Sequence, residues 1–301
     1  MGEAFPDRPI AVVTGFAPGG LTDLSTRVIV QRMGQELGQS IVVENRSGGA
    51  TSIASQAVGN ARADGYTLLM GASSLAINQT LHPNLFPQRP LDAFIPIGLG
   101  YRSAFVLQIH PSLPARNLAE FIAYAKANPG KINFGSSGTG AVNHLCMEML
   151  CRQSGLEVIH VPYRGGAQAV IDITTGRIQA MFSAVLEAQP LVAEGKTRAL
   201  AISSRGRASV LPDVPPVADT LPGFEGLFWQ GLFAPRGTPD TVLARLGAAL
   251  KVATDDAEVR SKLAERGVSV ETGDAQVLRY ILLKDTELWG KVIRDGNIRP
   301  D

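Results

Sequence analysis

Residues 9–24 read PIAVVTGFAPGGLTDL. The run 9–16 is apolar and β-branched, as a buried strand requires. Gly19-Gly20 breaks it, and Leu21, Leu24, Val28, Met33 and Leu37 then recur at helical spacing. Strand, glycine turn and helix in that order make the first unit of an α/β fold. The pattern continues outward. Residues 40–46 (SIVVENR) form a second strand, followed by a small-residue helix near 52–60. Asp64-Gly65 then turns the chain into a third strand at 66–72. Strands alternating with helices imply a parallel sheet with right-handed crossovers.

Residues 94–110 carry two extended apolar runs, FIPIGLG and AFVLQIH, after which alternation restarts. Asn117-Leu118-Ala119-Glu120 reads as a capping box opening a helix through Leu118, Phe121, Ile122 and Ala125. A short extended piece at 133–136 precedes a helix through Val142, Leu145, Cys146, Met149 and Leu150. Then come a strand at 158–163, a helix through Ala167, Val170 and Ile173, and strands at 180–185 and 198–204. The sequence LPDVPP at 211–216 interrupts the pattern, and 228–235 is extended again. Thr238-Pro239 reads as an N-cap followed by proline at the first helical position, with Val242, Leu246 and Leu250 buried behind it. The C-terminal part is mostly helical, with one strand-like piece at 268–271.

Two blocks of βα units, with extended segments on both sides of the second, fit a discontinuous first domain. Residues 1–102 and 227–301 form it, and 103–226 are inserted. The crossings fall near 100–105 and 224–231 and would act as the hinge. Two sequential domains are the other arrangement that periodicity allows.

Composition narrows the function. Among 301 residues there are 28 Lys and Arg against 27 Asp and Glu, a net charge of +1, so no global field draws nucleic acid or an anionic membrane. No run reaches the roughly 18 apolar residues needed to span a bilayer. Residues 1–6 (MGEAFP) have neither a basic n-region nor an apolar h-region. A cytoplasmic protein would begin this way, and so would a mature secreted protein without its signal peptide. Cys146 and Cys151 lie five apart in a helical segment, roughly 8.6 Å between Cα atoms, beyond the roughly 7 Å a disulfide bridges. They read as free thiols.

Four polar turns carry the chemistry. Phe16, Ala17, Pro18, Gly19, Gly20, Leu21, Thr22 and Asp23 join a strand to a helix. Glycine lets a ligand approach the backbone, and unpaired N–H groups at a helix start favour an anion by about 0.3–1 kcal/mol when exposed. This loop is the expected main anion site, with Gly20 the position where close approach and unusual φ exclude a β-branched side chain. A plain βα turn, with Asp23 complementing the helix dipole, is the alternative. Gly135-Ser136-Ser137-Gly138-Thr139-Gly140 precedes a second helix. It lacks the P-loop lysine and the G-x-S-x-G spacing, leaving an oxyanion-suited helix start or a structural turn. Tyr163-Arg164-Gly165-Gly166-Ala167 repeats the arrangement, with Arg164 on a ligand carboxylate or solvated at the rim. Ser73 and Ser74 follow the third strand, at the edge where open α/β sheets collect ligands, or form an ST-turn.

The histidines, His82, His110, His144 and His160, show no close metal-ligand spacing, and no Ser-His-Asp arrangement is present. His144 reads chiefly as a polar histidine on a helix face. Donor-rich turns spread over two α/β blocks bind anions with dipoles and supply no nucleophile–base pair. No catalytic residue, metal or cofactor is expected.

The segments VVTGFAPGGLTDLSTRV (12–28), VVENRSGG (42–49), DGYTLLMG (64–71), VPYRGGAQAVIDITTGRIQAMF (161–182), GKTRALAISS (195–204), LPDVPPVADTLPGF (211–224) and WQGLFAPRGTP (229–239) occur in order. Together they resemble the Bug family, the TctC-like substrate-binding proteins of tripartite tricarboxylate transporters, over nearly the whole chain. The resemblance implies an α/β fold of the two-lobed, type II periplasmic-binding-protein kind, closing like a flytrap on a small carboxylate. It also selects the mature secreted, periplasmic reading. The implied ligand-binding residues are Phe16, Ala17, Gly19, Gly20, Thr22, Asp23, Ser73 and Ser74 from the first lobe. From the second come Ser137, Gly138, Thr139, Gly140, His144, Arg164, Gly165, Gly166, Ala167, Ser183 and Val185. The implied partners are a mono- or dicarboxylate with an aromatic or aliphatic body and the membrane permease subunits, with the receptor itself a monomer. Family members commonly have proline where Ala17 and Ser47 stand here, and an acid where Ser183 follows Met181-Phe182. Without that acid, and with Asp23 occupied by backbone donors, the expected ligand carries no essential ammonium group. A ligand sensor for a signalling receptor and an α/β hydrolase-like enzyme are the alternative functions.

Overall fold

The computed structural model describes residues 5–271 and 273–300. The chain forms two compact units. The first holds the described residues up to Arg102 together with Trp229–Gly290. The second holds Ser103–Phe228 and the described residues from Lys291 onward, a tail that the sequence reading kept with the first.

In chain order the elements begin with β1 (Ile10–Thr14), α1 (Leu21–Leu37), β2 (Ile41–Asn45), α2 (Ser52–Gly59) and β3 (Thr67–Ala72). Then come α3 (Ser74–Leu81), α4 (Pro90–Ala93), β4 (Phe94–Ser103), β5 (Phe105–Ile109) and α5 (Leu118–Ala127). Next are β6 (Asn133–Ser136), α6 (Val142–Ser154), β7 (Ile159–Pro162), α7 (Gly166–Thr174), β8 (Ala180–Ala184), α8 (Val185–Ala193) and β9 (Arg198–Ile202). The chain ends with β10 (Phe228–Pro235), α9 (Asp240–Asp255), α10 (Ala257–Ala264), β11 (Gly273–Asp274) and α11 (Ala275–Asp295).

The first unit is built on a six-stranded sheet in the order β11-β4-β10-β3-β1-β2. β1 lies between β2 and β3 and runs parallel to both, whereas β10 returns antiparallel to β3. Ile10, Val12, Leu68 and Met70 from the strands and Ile29 and Met33 from α1 are fully buried. α1 packs on α9, and Arg32 reaches Asp256, the side-chain cap of α10, at 2.9 Å. The second unit has a five-stranded sheet in the order β7-β6-β8-β5-β9, with β6 parallel to β7 and β8 and β5 antiparallel to β8 and β9. One face packs Val106, Ile202, Val185, Ala188, Leu211 and Val214 together. Another cluster joins Met181 and Ile178 to Ala169 and Ile173 of α7.

Local differences from the sequence reading have physical causes. Asn117 caps α5 by accepting from the Glu120 N–H, but Glu120 answers the Arg116 N–H, not that of Asn117. Thr238 does not cap α9. Its hydroxyl donates to the Pro235 carbonyl, closing the preceding turn. Residues 268–271 make only an isolated bridge from Ser269 to Arg102, and the strand follows at Gly273–Asp274. α3 and α8 begin directly after their strands without a breaker residue between. Cys146 and Cys151 are free and buried.

Candidate ligand-binding site

In the first unit the predicted residues gather at the carboxyl edge of β1, β2 and β3. The loop after β1 leaves Ala17, Gly19 and Gly20 exposed, with Phe16 and Thr22 half-buried. Asp23 is only 2% exposed, and its carboxylate is filled from within. It accepts from the Gly19 N–H at 2.9 Å, from Arg27 at 3.1 Å and from Asn45 at 2.8 Å, while Asn45 also donates to the Phe16 carbonyl. Burial would raise this carboxyl, yet the Arg27, Gly19 and Asn45 bonds outweigh it and hold it below the usual carboxylate range. Asp23 is therefore the clamp that shapes the loop. It leaves unused the first-turn N–H groups of α1, which have no intrahelical partner.

Gly19 holds φ +82°, while Gly20 is extended at φ −75°, ψ 168°. The residue that needs glycine for its conformation is thus Gly19, a correction to the reading of Gly20. A Cβ on Gly20 meets nothing closer than the Ala17 carbonyl at 3.8 Å. Gly20→Val should consequently weaken ligand binding by crowding the approach while leaving the melting temperature near that of the parent. Gly19→Val should cost about 1–2 kcal/mol in urea unfolding, from the left-handed backbone. Parental ligand affinity in Gly20→Val would remove the loop from the site.

Ser73 and Ser74 divide their roles. Ser73 is fully buried, and its hydroxyl and N–H bond the Trp229 N–H and carbonyl, fastening β3 to β10. Ser74 pairs its hydroxyl with Thr51 at 2.8 Å. Thr51 and Ala50 both sit at positive φ, +75° and +49°, a costly conformation for a β-branched residue. Thr51 packs against Gly15, where a Cβ would lie 2.6 Å from the Thr51 Cβ. This strained turn beside the first loop was not read from the sequence; two non-glycine residues gave no sign of it. Behind it, the Trp229 Nε1–H donates to Asp285 of α11 at 2.9 Å. Burial pushes the Asp285 carboxyl up to about 6.

In the second unit the predicted residues line the carboxyl edge of β6, β7 and β8. The glycine loop after β6 is largely self-satisfied. Ser137 donates through its N–H and hydroxyl to Asn143, the Gly138 N–H to the Ser136 hydroxyl, and the Gly140 N–H to His144 Nδ1 at 3.0 Å. Asn143 donates on to the Phe182 carbonyl, tying the loop to β8. Thr139 is half-buried. His144 is 3% exposed and stacks on His160 with ring centroids 3.8 Å apart, and His160 bonds Ser136 at 2.7 Å. Three predicted side chains point into the unit: His144, Val185 in the core, and Ser183, whose hydroxyl accepts from Gln108 at 2.7 Å. Arg164 and Ala167 are exposed, and Gly165 and Gly166 half-buried, where α7 begins. Asn143, and Glu187 beside the Gly165-Gly166 turn, are not among the residues the sequence pointed to.

Backbone donors beside the carboxyl edge of an open α/β sheet are suited to holding an anion. Comparison with known proteins gives the family of this chain. Residues 25–298 match the model of the "Tripartite tricarboxylate transporter family receptor". The "UPF0065 protein in tcbD-tcbE intergenic region" of Pseudomonas sp. (strain P51) is 36% identical over 293 residues, 97% of this chain and 87% of that one. Among solved structures, R. palustris Rpa4515 with adipate superposes with a TM-score of 0.85 at 30% identity, covering 99% of this chain and 100% of that one. MatC (Rpa3494) from Rhodopseudomonas palustris with bound malate gives 0.80 at 33% identity, with 96% and 100% covered. The chain belongs to the tripartite tricarboxylate transporter receptor family, a family of solute-binding receptors, and has its periplasmic-binding-protein fold. Among the described residues, no helix is long and apolar enough to cross a membrane.

Proposed function

We propose that this protein is a periplasmic receptor that captures a small carboxylate and delivers it to the permease of a tripartite tricarboxylate-type transporter. The lobes expected at 1–102 with 227–301 and at 103–226 each carry a glycine loop at the carboxyl edge of a sheet. The observation that carries this reading is the loop after β1. Its own acid, Asp23, is compensated from within by Gly19, Arg27 and Asn45, so Gly20 and the start of α1 offer donors without a competing charge. Adipate and malate, carried by the two structural relatives, belong to the proposed ligand class of small carboxylates.

A thermal-shift screen against a carboxylic acid library containing both tests the proposal. An acid present at 100 times its Kd should add about 2.7 kcal/mol of stability, a plain rise in Tm. A library that leaves Tm unmoved throughout would refute it.

A further inference from the structure

Glu187 is the third residue of α8, half-buried at the carboxyl end of β8. One carboxylate oxygen accepts the Ala184 N–H at 3.3 Å. The other faces α7: a Cβ built on Gly166, the first residue of that helix, would lie 3.1 Å from Oε1 and 3.4 Å from Oε2. The carboxylate thus lies over the Gly165-Gly166 turn, the place from which a second-unit anion site was expected. Among the described residues it has no ion-pair partner, and Arg164, the nearest cation in sequence to that turn, is exposed and also unpaired.

A carboxylate withdrawn from water needs several donors or a cation, and here the described residues supply one backbone N–H. Burial pushes the Glu187 carboxyl up against the opposing Ala184 bond. The start of α7 contributes a partial positive charge, which steadies Glu187 and is correspondingly less available to a ligand anion. A ligand carboxylate placed there would meet a like charge. Ser183, the residue singled out for its lack of charge, is turned inward to Gln108 and does not intervene.

We propose that Glu187 is a specificity-determining residue, taking the ammonium group of an amino-substituted carboxylate and disfavouring a second carboxylate at the start of α7. The inference rests on the carboxylate-receptor reading and runs opposite to the expectation of a ligand without an ammonium group.

Calorimetry on the full chain at neutral pH tests it with matched probes: aspartate against succinate, glutamate against glutarate, phenylglycine against phenylacetate. Each further acid found by thermal shift is paired with its amino analogue. The amino-substituted member should bind at least about tenfold more tightly. Glu187→Gln, which keeps the shape and an acceptor for Ala184, should reduce that preference about tenfold with Tm little changed. The inference is overturned if the plain acids bind as well or better, or if the preference survives Glu187→Gln undiminished. In both cases the carboxylate-receptor reading still stands, since acids bind. If no acid of either kind binds, that reading falls and this inference with it. The comparison within the parent protein needs no variant, so poor folding of Glu187→Gln leaves it decisive.

Discussion

As the pH rises from about 4 to about 7, Asp285 should withdraw about 3 kcal/mol of stability from this protein, and Asp285→Asn should abolish that loss. The acid is 9% exposed on α11, held by the Trp229 indole and shifted from 3.8 to about 6 by burial. The folded protein therefore binds this proton more tightly than the unfolded chain. The stabilising contribution is complete below the ordinary carboxyl value and disappears as the pH passes 6. Asparagine keeps an oxygen for the Trp229 N–H but cannot ionise. Urea unfolding of both proteins across this range isolates the effect in the difference curve. A difference curve that is flat with pH would show that Asp285 titrates as an ordinary carboxyl.

Asp23→Ala should cost about 3 kcal/mol of stability and about 100-fold in ligand affinity. The substitution strands three donors together: the Gly19 N–H, the Arg27 guanidinium and the Asn45 amide. Arg27 is 45% exposed and can turn to water, which keeps the cost at the lower end for a broken buried pair. The loop loses its shape as well, because Asn45 joins Asp23 to the Phe16 carbonyl. The depressed Asp23 carboxyl stabilises the fold above the ordinary carboxyl range, and that contribution is lost as the pH falls below it. Unchanged binding in Asp23→Ala, measured by calorimetry with the acid found by thermal shift, would dissociate the clamp from the site.

The frame of the first unit could be read from the sequence because its signals are local. An apolar run, two glycines and a helical repeat fix β1 and α1, and the same signals recur for β2 and β3. α8 escaped because Ala180–Ala184 runs into VLEAQPLVA without a turn residue, and Pro190 inside that stretch argues against a helix. Missing the helix meant missing Glu187, whose importance comes from its spacing to Gly166, set by how β7 and β8 flank β6. Ser73 stands out in the sequence as a polar residue at a strand end, and Ser183 only through the family resemblance. Which face each presents depends on strand parity and on partners 156 and 75 residues away, Trp229 and Gln108. Thr51 could not be found from residue type, since its left-handed backbone is imposed by the turn around it.

The loop after β6 spends its backbone donors on Ser136, Asn143 and His144. Donors held in this way are already ordered, so, if the proposed solute meets this loop, its binding should forfeit little of the loop's conformational entropy. On the proposed reading, changes of specificity can then be confined to side chains beside it. A single replacement at Glu187 could redirect the receptor to another solute with the scaffold undisturbed.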